Sequence, residues 1–101
     1  MYIYNVTIQL AWAIHDNWVE WMKTKHIPEV MQTGCFSAFR FVRVLEVDET
    51  DGPTYATQYM AANREDYDRY ISEFAAALRQ DAFNQWGDQF AGFRSLMQVV
   101  N

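Results

Sequence analysis

Apolar and polar side chains alternate along the first part of the chain. Every even position from Tyr2 to Leu10 is apolar. The odd positions include a polar series, Asn5, Thr7 and Gln9. Because successive side chains of a β-strand point to opposite faces of the sheet, this alternation predicts a half-buried strand over residues 2–10.

A helical period replaces the alternation in the next segment. Its apolar side chains recur at spacings of one, three and four residues: Ile14, Trp18, Trp21 and Met22. This spacing predicts an amphipathic helix from about Ala13 to Lys25. Pro28 disfavours helical backbone at Ile27, so we expect the chain to bend there and to resume a short helix that ends at Gly34.

Two strands joined by a turn are predicted next. The segments Phe36–Val47 and Thr54–Ala62 are rich in aromatic and β-branched residues, and the residues between them, DETDGP, favour a turn. This arrangement predicts an antiparallel hairpin.

The last part of the chain predicts a second helix and a fourth strand. Asn63 is a suitable N-cap, and the apolar positions that follow it keep the helical period as far as Leu78. A short helical turn over residues 81–86 is expected to end at Gly87, and residues 90–100 have the composition of a final strand.

The resulting element order is β-α-β-β-α-β, and the 101 residues suffice for a single domain that spans residues 1–101. Right-handed crossovers together with the central hairpin favour an α+β, ferredoxin-like fold. In this fold a four-stranded antiparallel sheet carries two helices on one face.

The second, third and fourth strands are predicted to carry apolar side chains on both faces. In the central hairpin these are Phe39, Phe41, Leu45, Tyr55 and Tyr59 on one face and Val42, Val44, Ala56 and Met60 on the other. Two helices on one side leave the other side of the sheet open, and monomers rarely expose a large apolar patch. We therefore expect a homodimer in which the open sheet faces cover each other.

Composition narrows the range of partners and compartments. The net charge of −5 and the scattered Lys and Arg residues argue against binding of nucleic acid or of anionic membranes. No stretch approaches the roughly 18 apolar residues that a membrane span needs. The first residues lack the basic start of a signal peptide, and Cys35 is the only cysteine, so we expect a cytoplasmic protein without disulfides.

His26 is the main candidate for chemistry. It lies just before Pro28, where a side chain can face a cleft between helix and sheet and act as acid, base or ligand. The alternative is a histidine that caps a helix or lies in solvent. His15 is expected at the surface or in a cap, and its spacing from His26 excludes the i, i+4 pair of a helical zinc site. We expect no metal and no cofactor.

Three further residues are candidates for binding a ligand. Trp21 and Tyr59 belong to an aromatic set that either lines a pocket or fills the core. Asn5 belongs to the polar row of the first strand, which Gln58 could join from the neighbouring strand. This row either lines a pocket or pairs across a dimer, because buried polar groups need partners in both cases.

Arginines on the predicted strands offer a further possibility. Arg40, Arg43 and Arg94 could clamp a carboxylate or a phosphate if the fold brought them together. Surface or interface ion pairs are the expected alternative.

Four stretches of the sequence resemble one known family: MYIYNVT, WVEWMKTKHIPEVMQTG, FRFVRVLEVDETDGPTYATQY and FRSLMQVV. The resemblance is to a small bacterial family of unknown function in the dimeric α/β-barrel superfamily. It covers nearly the whole chain and implies a ferredoxin-like fold and a dimer. It implies no activity, because the function of the family is unknown.

The wider superfamily includes cofactor-independent monooxygenases, muconolactone-type isomerases, haem-degrading monooxygenases and stress-responsive proteins. The H-x-P corner from His26 to Pro28 is similar to one in several of these groups, which implies that His26 faces a ligand. Asn5 is placed like the first-strand asparagine of haem-degrading members, but residues 67–86 lack the histidine that ligates their haem. The resemblance therefore does not imply haem oxygenation.

The sequence leaves three functional hypotheses. The first is a dimeric protein that binds a small aromatic or amphipathic molecule between sheet and helices. The second is an enzyme, a cofactor-independent monooxygenase or an isomerase, that uses His26 as a general base. The third is a structural or protein-interaction module whose open sheet binds only itself or another protein.

Overall fold

One antiparallel sheet organises the fold. A computed structural model describes residues 1–101. Its strands are β1 (Tyr2–Leu10), β2 (Ala38–Arg43), β3 (Thr54–Ala61) and β4 (Phe90–Gln98). They lie in the order β2-β3-β1-β4, and every neighbouring pair is antiparallel. The predicted number and antiparallel direction of the strands are confirmed.

Strand β2 is shorter than the sequence predicts. The expected strand over residues 36–47 pairs with β3 only over Ala38–Arg43. Beyond this range Glu46 adopts a left-handed φ of 60°, which interrupts an extended backbone. Val44 and Leu45 therefore belong to the connection before β3, and Leu45 is 73% exposed.

The connection between β1 and β2 is one continuous helical segment. It comprises a 3₁₀ turn (Trp12–Ile14), α1 (His15–Trp21), a π-helical turn (Met22–His26) and α2 (Ile27–Gln32). The predicted bend is wrong, because Ile27 keeps helical dihedrals of φ −61° and ψ −45°. Its N–H donates to the carbonyl oxygen of Met22, five residues back. A π turn accommodates Pro28, which lacks an N–H and would crowd the carbonyl four residues before it in an α-helix.

The second helical connection consists of two helices. They are α3 (Arg64–Glu73) and α4 (Ala75–Trp86). Asn63 caps α3 as predicted, since its Oδ1 accepts a hydrogen bond of 2.9 Å from the Asp66 N–H. The two helices separate at Phe74, whose φ of −123° leaves the helical range. Gly87 ends α4 with a left-handed φ of 63°, also as predicted.

The main core lies between the sheet and the helices. Its buried side chains include Tyr4, Leu10, Trp18, Ile27, Val30, Tyr59, Ala61 and Tyr70. Trp18 is 2% exposed. Its ring packs against Phe41 and Tyr55, with centroids 5.8 and 5.4 Å away. This contact attaches α1 to strands β2 and β3.

The open face of the sheet carries polar and apolar bands. The register places one residue from each strand side by side in a polar band: Arg40, Gln58, Asn5 and Ser95. The neighbouring bands are Ala38, Met60, Ile3 and Met97 on one side and Val42, Ala56, Thr7 and Phe93 on the other. Gln58 joins the polar row of β1, as predicted, and lies opposite Asn5. Val44 lies one residue beyond β2, and its N–H still donates to the carbonyl oxygen of Thr54 at 2.9 Å.

Candidate functional site

A cavity of about 340 Å³ lies between the sheet and the helices. Strands β1, β3 and β4 form one wall, and the π turn, α3 and α4 contribute the rest. Eleven of its 16 lining residues are hydrophobic, among them Val6, Ile8, Met22, Leu78 and Phe90. Cavities of this size and polarity hold small organic molecules.

His26 lines this cavity from the π turn. Its Nδ1 is buried and has no hydrogen-bond partner in the chain. Burial lowers the pKa of the imidazole, and the nearby carboxylates of Glu29 and Asp81 oppose this effect only in part. The ring is therefore neutral at pH 7, with one nitrogen that donates and one that accepts.

Three tyrosines place phenol groups on the cavity wall: Tyr4, Tyr59 and Tyr70. The ring centroid of Tyr4 lies 6.1 Å from that of Tyr59 and 5.6 Å from that of Tyr70. Burial raises the pKa of Tyr4 to about 12, against the opposing effect of Arg94. Burial also raises the pKa values of Tyr59 and Tyr70. All three hydroxyls therefore keep their protons at neutral pH and can donate to a ligand.

The formally charged side chains of the cavity wall are two arginines. Arg79 extends from α4 and Arg94 from β4, and no Asp or Glu lines the cavity. Neither arginine belongs to an ion pair of the chain. The cavity is therefore positively charged in a chain whose net charge is −5.

The four residues predicted to bind a ligand do not all meet in one place. His26 and Tyr59 line the cavity. Trp21 lies behind it and contacts the imidazole of His26. Asn5 lies on the open face of the sheet, where its Nδ2 donates to Thr7 Oγ1 at 2.9 Å. Of the two alternatives for its polar row, this position favours pairing across a dimer.

The strands separate the three arginines that could have clamped an anion. Arg43 pairs with Glu49 at 3.0 Å, and Arg40 lies in the polar band of the open face. Only Arg94 reaches the cavity. Arg79, which joins it there, was not predicted. The single local signal is its position next to Leu78, at the edge of the apolar helix face.

The other reactive side chains lie outside the cavity. His15 Nε2 lies 2.7 Å from the Tyr55 hydroxyl, and Cys35 is a buried free thiol. No group of three His, Cys, Asp or Glu side chains is arranged to hold a metal ion. No helix has both the length and the hydropathy needed to cross a lipid bilayer.

Solved structures with the same architecture define the fold class. An ethyl tert-butyl ether d family protein from Bacillus halodurans has a TM-score of 0.70 at 10% identity, covering 99% of this chain and 100% of its own. A dimeric ferredoxin-like protein from an uncultured marine organism has a TM-score of 0.67 at 14% identity. The similarity covers 99% of this chain and 96% of the marine protein. A dimeric ferredoxin-like protein of unknown function from a Jannaschia species has a TM-score of 0.57 at 14% identity. The similarity covers 98% of this chain and 100% of the Jannaschia protein. These similarities confirm the predicted ferredoxin-like fold.

The chain belongs to the family described as a domain of unknown function, DUF4286, whose model matches residues 1–100. This match confirms the resemblance to a family of unknown function. No curated protein matches the sequence.

Proposed function

We propose that the protein binds a small, mainly apolar organic molecule in the cavity between sheet and helices. The observation that carries the proposal is the composition of the cavity wall, where hydrophobic side chains surround the neutral imidazole of His26 and three phenol groups. Binding sites for small molecules combine an apolar lining with a few polar groups that fix orientation.

The large aromatic side chains leave the cavity open, which supports the proposal. Trp18 packs against Phe41 and Tyr55 on another part of the sheet. Tyr59 lines the cavity without filling it. Protein cores that serve only stability are packed nearly as densely as organic crystals. The volume of about 340 Å³ is not filled by the surrounding side chains and is large enough for a small organic molecule.

Ligand screening with two matched variants tests the proposal. Ala82 lines the cavity, whereas Ala76, on the same helix α4, is exposed to solvent. We expect compounds with one or two aromatic rings to raise the unfolding temperature of the wild type and of Ala76→Trp. They should not stabilise Ala82→Trp, whose indole occupies the cavity. A screen without a binding compound, or binding that Ala82→Trp leaves intact, would contradict the proposal.

A second candidate function is proton transfer by His26, as in an isomerase or a cofactor-independent monooxygenase. The observation that favours it is the neutral, partly buried imidazole at the cavity, because a neutral ring nitrogen can accept a proton from a bound molecule. His26→Gln keeps a hydrogen-bonding group but removes the base. Turnover of a bound compound by the wild type alone, with equal binding by both proteins, would support this function. Absent turnover in the wild type, or equal turnover in the variant, would overturn it.

We also propose that two copies pair through their open sheet faces, as a cytoplasmic dimer. The apolar band that includes Ile3, Met60 and Met97 supports this proposal, as do similar structures described as dimeric. The buried free thiol of Cys35 is in keeping with a reducing compartment.

Sedimentation velocity of two acidic variants tests the dimer. Met97→Glu would bury carboxylates between the two sheets, so we expect this variant to be monomeric. Leu45→Glu places the same charge on an exposed connection and should remain dimeric. A monomeric wild type, or a dimeric Met97→Glu protein, would contradict pairing through this face.

A further inference from the structure

The two arginines of the cavity wall form no ion pair within the chain. Arg79 and Arg94 line the cavity together, and no carboxylate lines it. The ion pairs of the chain involve four of its eight Lys and Arg residues, Lys25, Arg43, Arg64 and Arg69, and Lys23 and Arg40 also form none. Carboxylates outnumber Lys and Arg by 13 to 8 in this chain. Of the four unpaired cations, Arg79 and Arg94 are the two that line the cavity.

The same cavity wall also carries apolar side chains, and Arg94 lies opposite Val6 in the register of β4 and β1. Arg94 lies beside Tyr4, close enough to oppose the effect of burial on that hydroxyl. Val6, Ile8 and Met22 provide apolar surface in the same cavity. A second groove along β4 shares Tyr4 and Arg94 with the cavity. A ligand that contacts both the arginines and the apolar side chains needs a charged group and a hydrophobic body.

We infer that the cavity takes an amphipathic organic carboxylate, whose acidic group pairs with Arg79 and Arg94 while its apolar body lies within the cavity. This inference rests on the proposed function and adds the charge and polarity of the ligand. A guanidinium group holds a carboxylate through two parallel hydrogen bonds. Both arginines are exposed to solvent, so salt should weaken their pairing with a carboxylate. A neutral molecule of the same shape would leave both guanidinium groups unpaired.

Two probes that share one ring system test the inference: 2-naphthoate and 2-naphthamide. In isothermal titration calorimetry we expect the wild type to bind the carboxylate about tenfold more tightly than the amide, as one charge-assisted interaction would give. Added salt should weaken binding of the carboxylate and leave binding of the amide unchanged.

Variants that remove one charge each locate the acidic group. Arg94→Met and Arg79→Met keep an apolar stem, and each should reduce the affinity for 2-naphthoate toward that for 2-naphthamide. Lys23→Met is the matched control, because Lys23 is exposed, lies outside the cavity and carries the same charge. This variant should bind both probes as the wild type does.

The outcomes distinguish the inference from the proposed function. Equal affinity for the two probes, with binding abolished in Ala82→Trp, would overturn the carboxylate inference and leave the proposed function standing. A carboxylate preference that survives in both Arg79→Met and Arg94→Met would place the acidic group elsewhere and also overturn the inference. If neither probe binds, the inference and the proposed function both fail for ligands of this size.

Discussion

The indole of Trp21 stacks on the imidazole of His26, with ring centroids 4.9 Å apart and planes inclined by 21°. In a regular α-helix, residues five positions apart differ by about 140° around the axis, so their side chains would not meet. The π turn over Met22–His26 lengthens the hydrogen-bonded turn by one residue. It thereby brings positions 21 and 26 onto one face. The irregularity next to Pro28 creates the contact that orients the histidine of the cavity.

Removing the aromatic ring of Trp21 should destabilise the protein. Aromatic pairs contribute about 0.5–1.5 kcal/mol beyond the area they bury, and Trp21 contacts both His26 and Trp86. We expect Trp21→Leu to lower the free energy of unfolding by about 1–2 kcal/mol, and Trp21→Phe to lower it less, because it keeps a ring to stack on. Urea denaturation of both variants measures the difference. Equal losses in the two variants would show that stacking contributes nothing.

The burial of His26 should make stability depend on pH. Its pKa in the folded protein is lowered from the ordinary value of 6.5, so the unfolded chain binds this proton more readily as the pH falls. The contribution of His26 to stability is therefore full above about pH 6.5. It declines as the pH falls, and the decline is complete below the pKa of the folded state.

Urea denaturation between pH 5 and pH 8, compared with that of His26→Gln, isolates this contribution. The carboxylates of the two proteins are the same, so their effects cancel in the difference between the two curves. We expect the stability of the wild type to fall more steeply toward acid pH. Parallel curves for the two proteins would show that His26 is solvated in the folded state.

The elements that sequence predicts well depend on side chains close together in the chain. Strand β1 follows from its alternation, and its bounds match those of the structure. The N-terminus of α3 follows from the cap at Asn63, whose bonding partner lies three residues away. The break at Phe74 has no such local signal, because the apolar period continues through it.

The features that form the candidate site depend on distant residues. Pro28 indicates a helical irregularity near the correct position, but a bend and a π turn both satisfy its local requirements. The packing of Trp21 against Trp86, from the other end of the chain, accompanies the π turn. Arg79 and Arg94 lie on different elements, so no spacing in the sequence joins them.

The N-cap of α3 offers a test of local stability away from the cavity. The Oδ1 atom of Asn63 accepts the Asp66 N–H at 2.9 Å. Asn63→Ala removes this acceptor and should lower the free energy of unfolding by about 1 kcal/mol. Asn63→Asp keeps an acceptor and should cost much less. Equal losses in urea denaturation of the two variants would contradict a capping role.

Gly92 allows close approach of β4 to β1 at the cavity wall. It pairs with Ile8 across the two strands and lines the cavity. A Cβ atom at position 92 would overlap the carbonyl oxygen of Thr7 and lie 3.0 Å from Ile8 Cγ1. The carbonyl is part of the β1 backbone, so it cannot move aside without distorting the pairing of the strands.

Gly92→Ala should therefore lower the free energy of unfolding by about 1–3 kcal/mol, the usual cost of overpacking. Gln98→Ala, at an exposed position near the end of the same strand, is the control and should change stability by less than about 0.5 kcal/mol. Urea denaturation gives both values, and hydrogen exchange of the β4 amides shows whether the loss arises from strand pairing. If the two variants are equally stable, β1 and β4 do not require glycine for their contact, and the wall of the cavity is more compliant than its packing indicates.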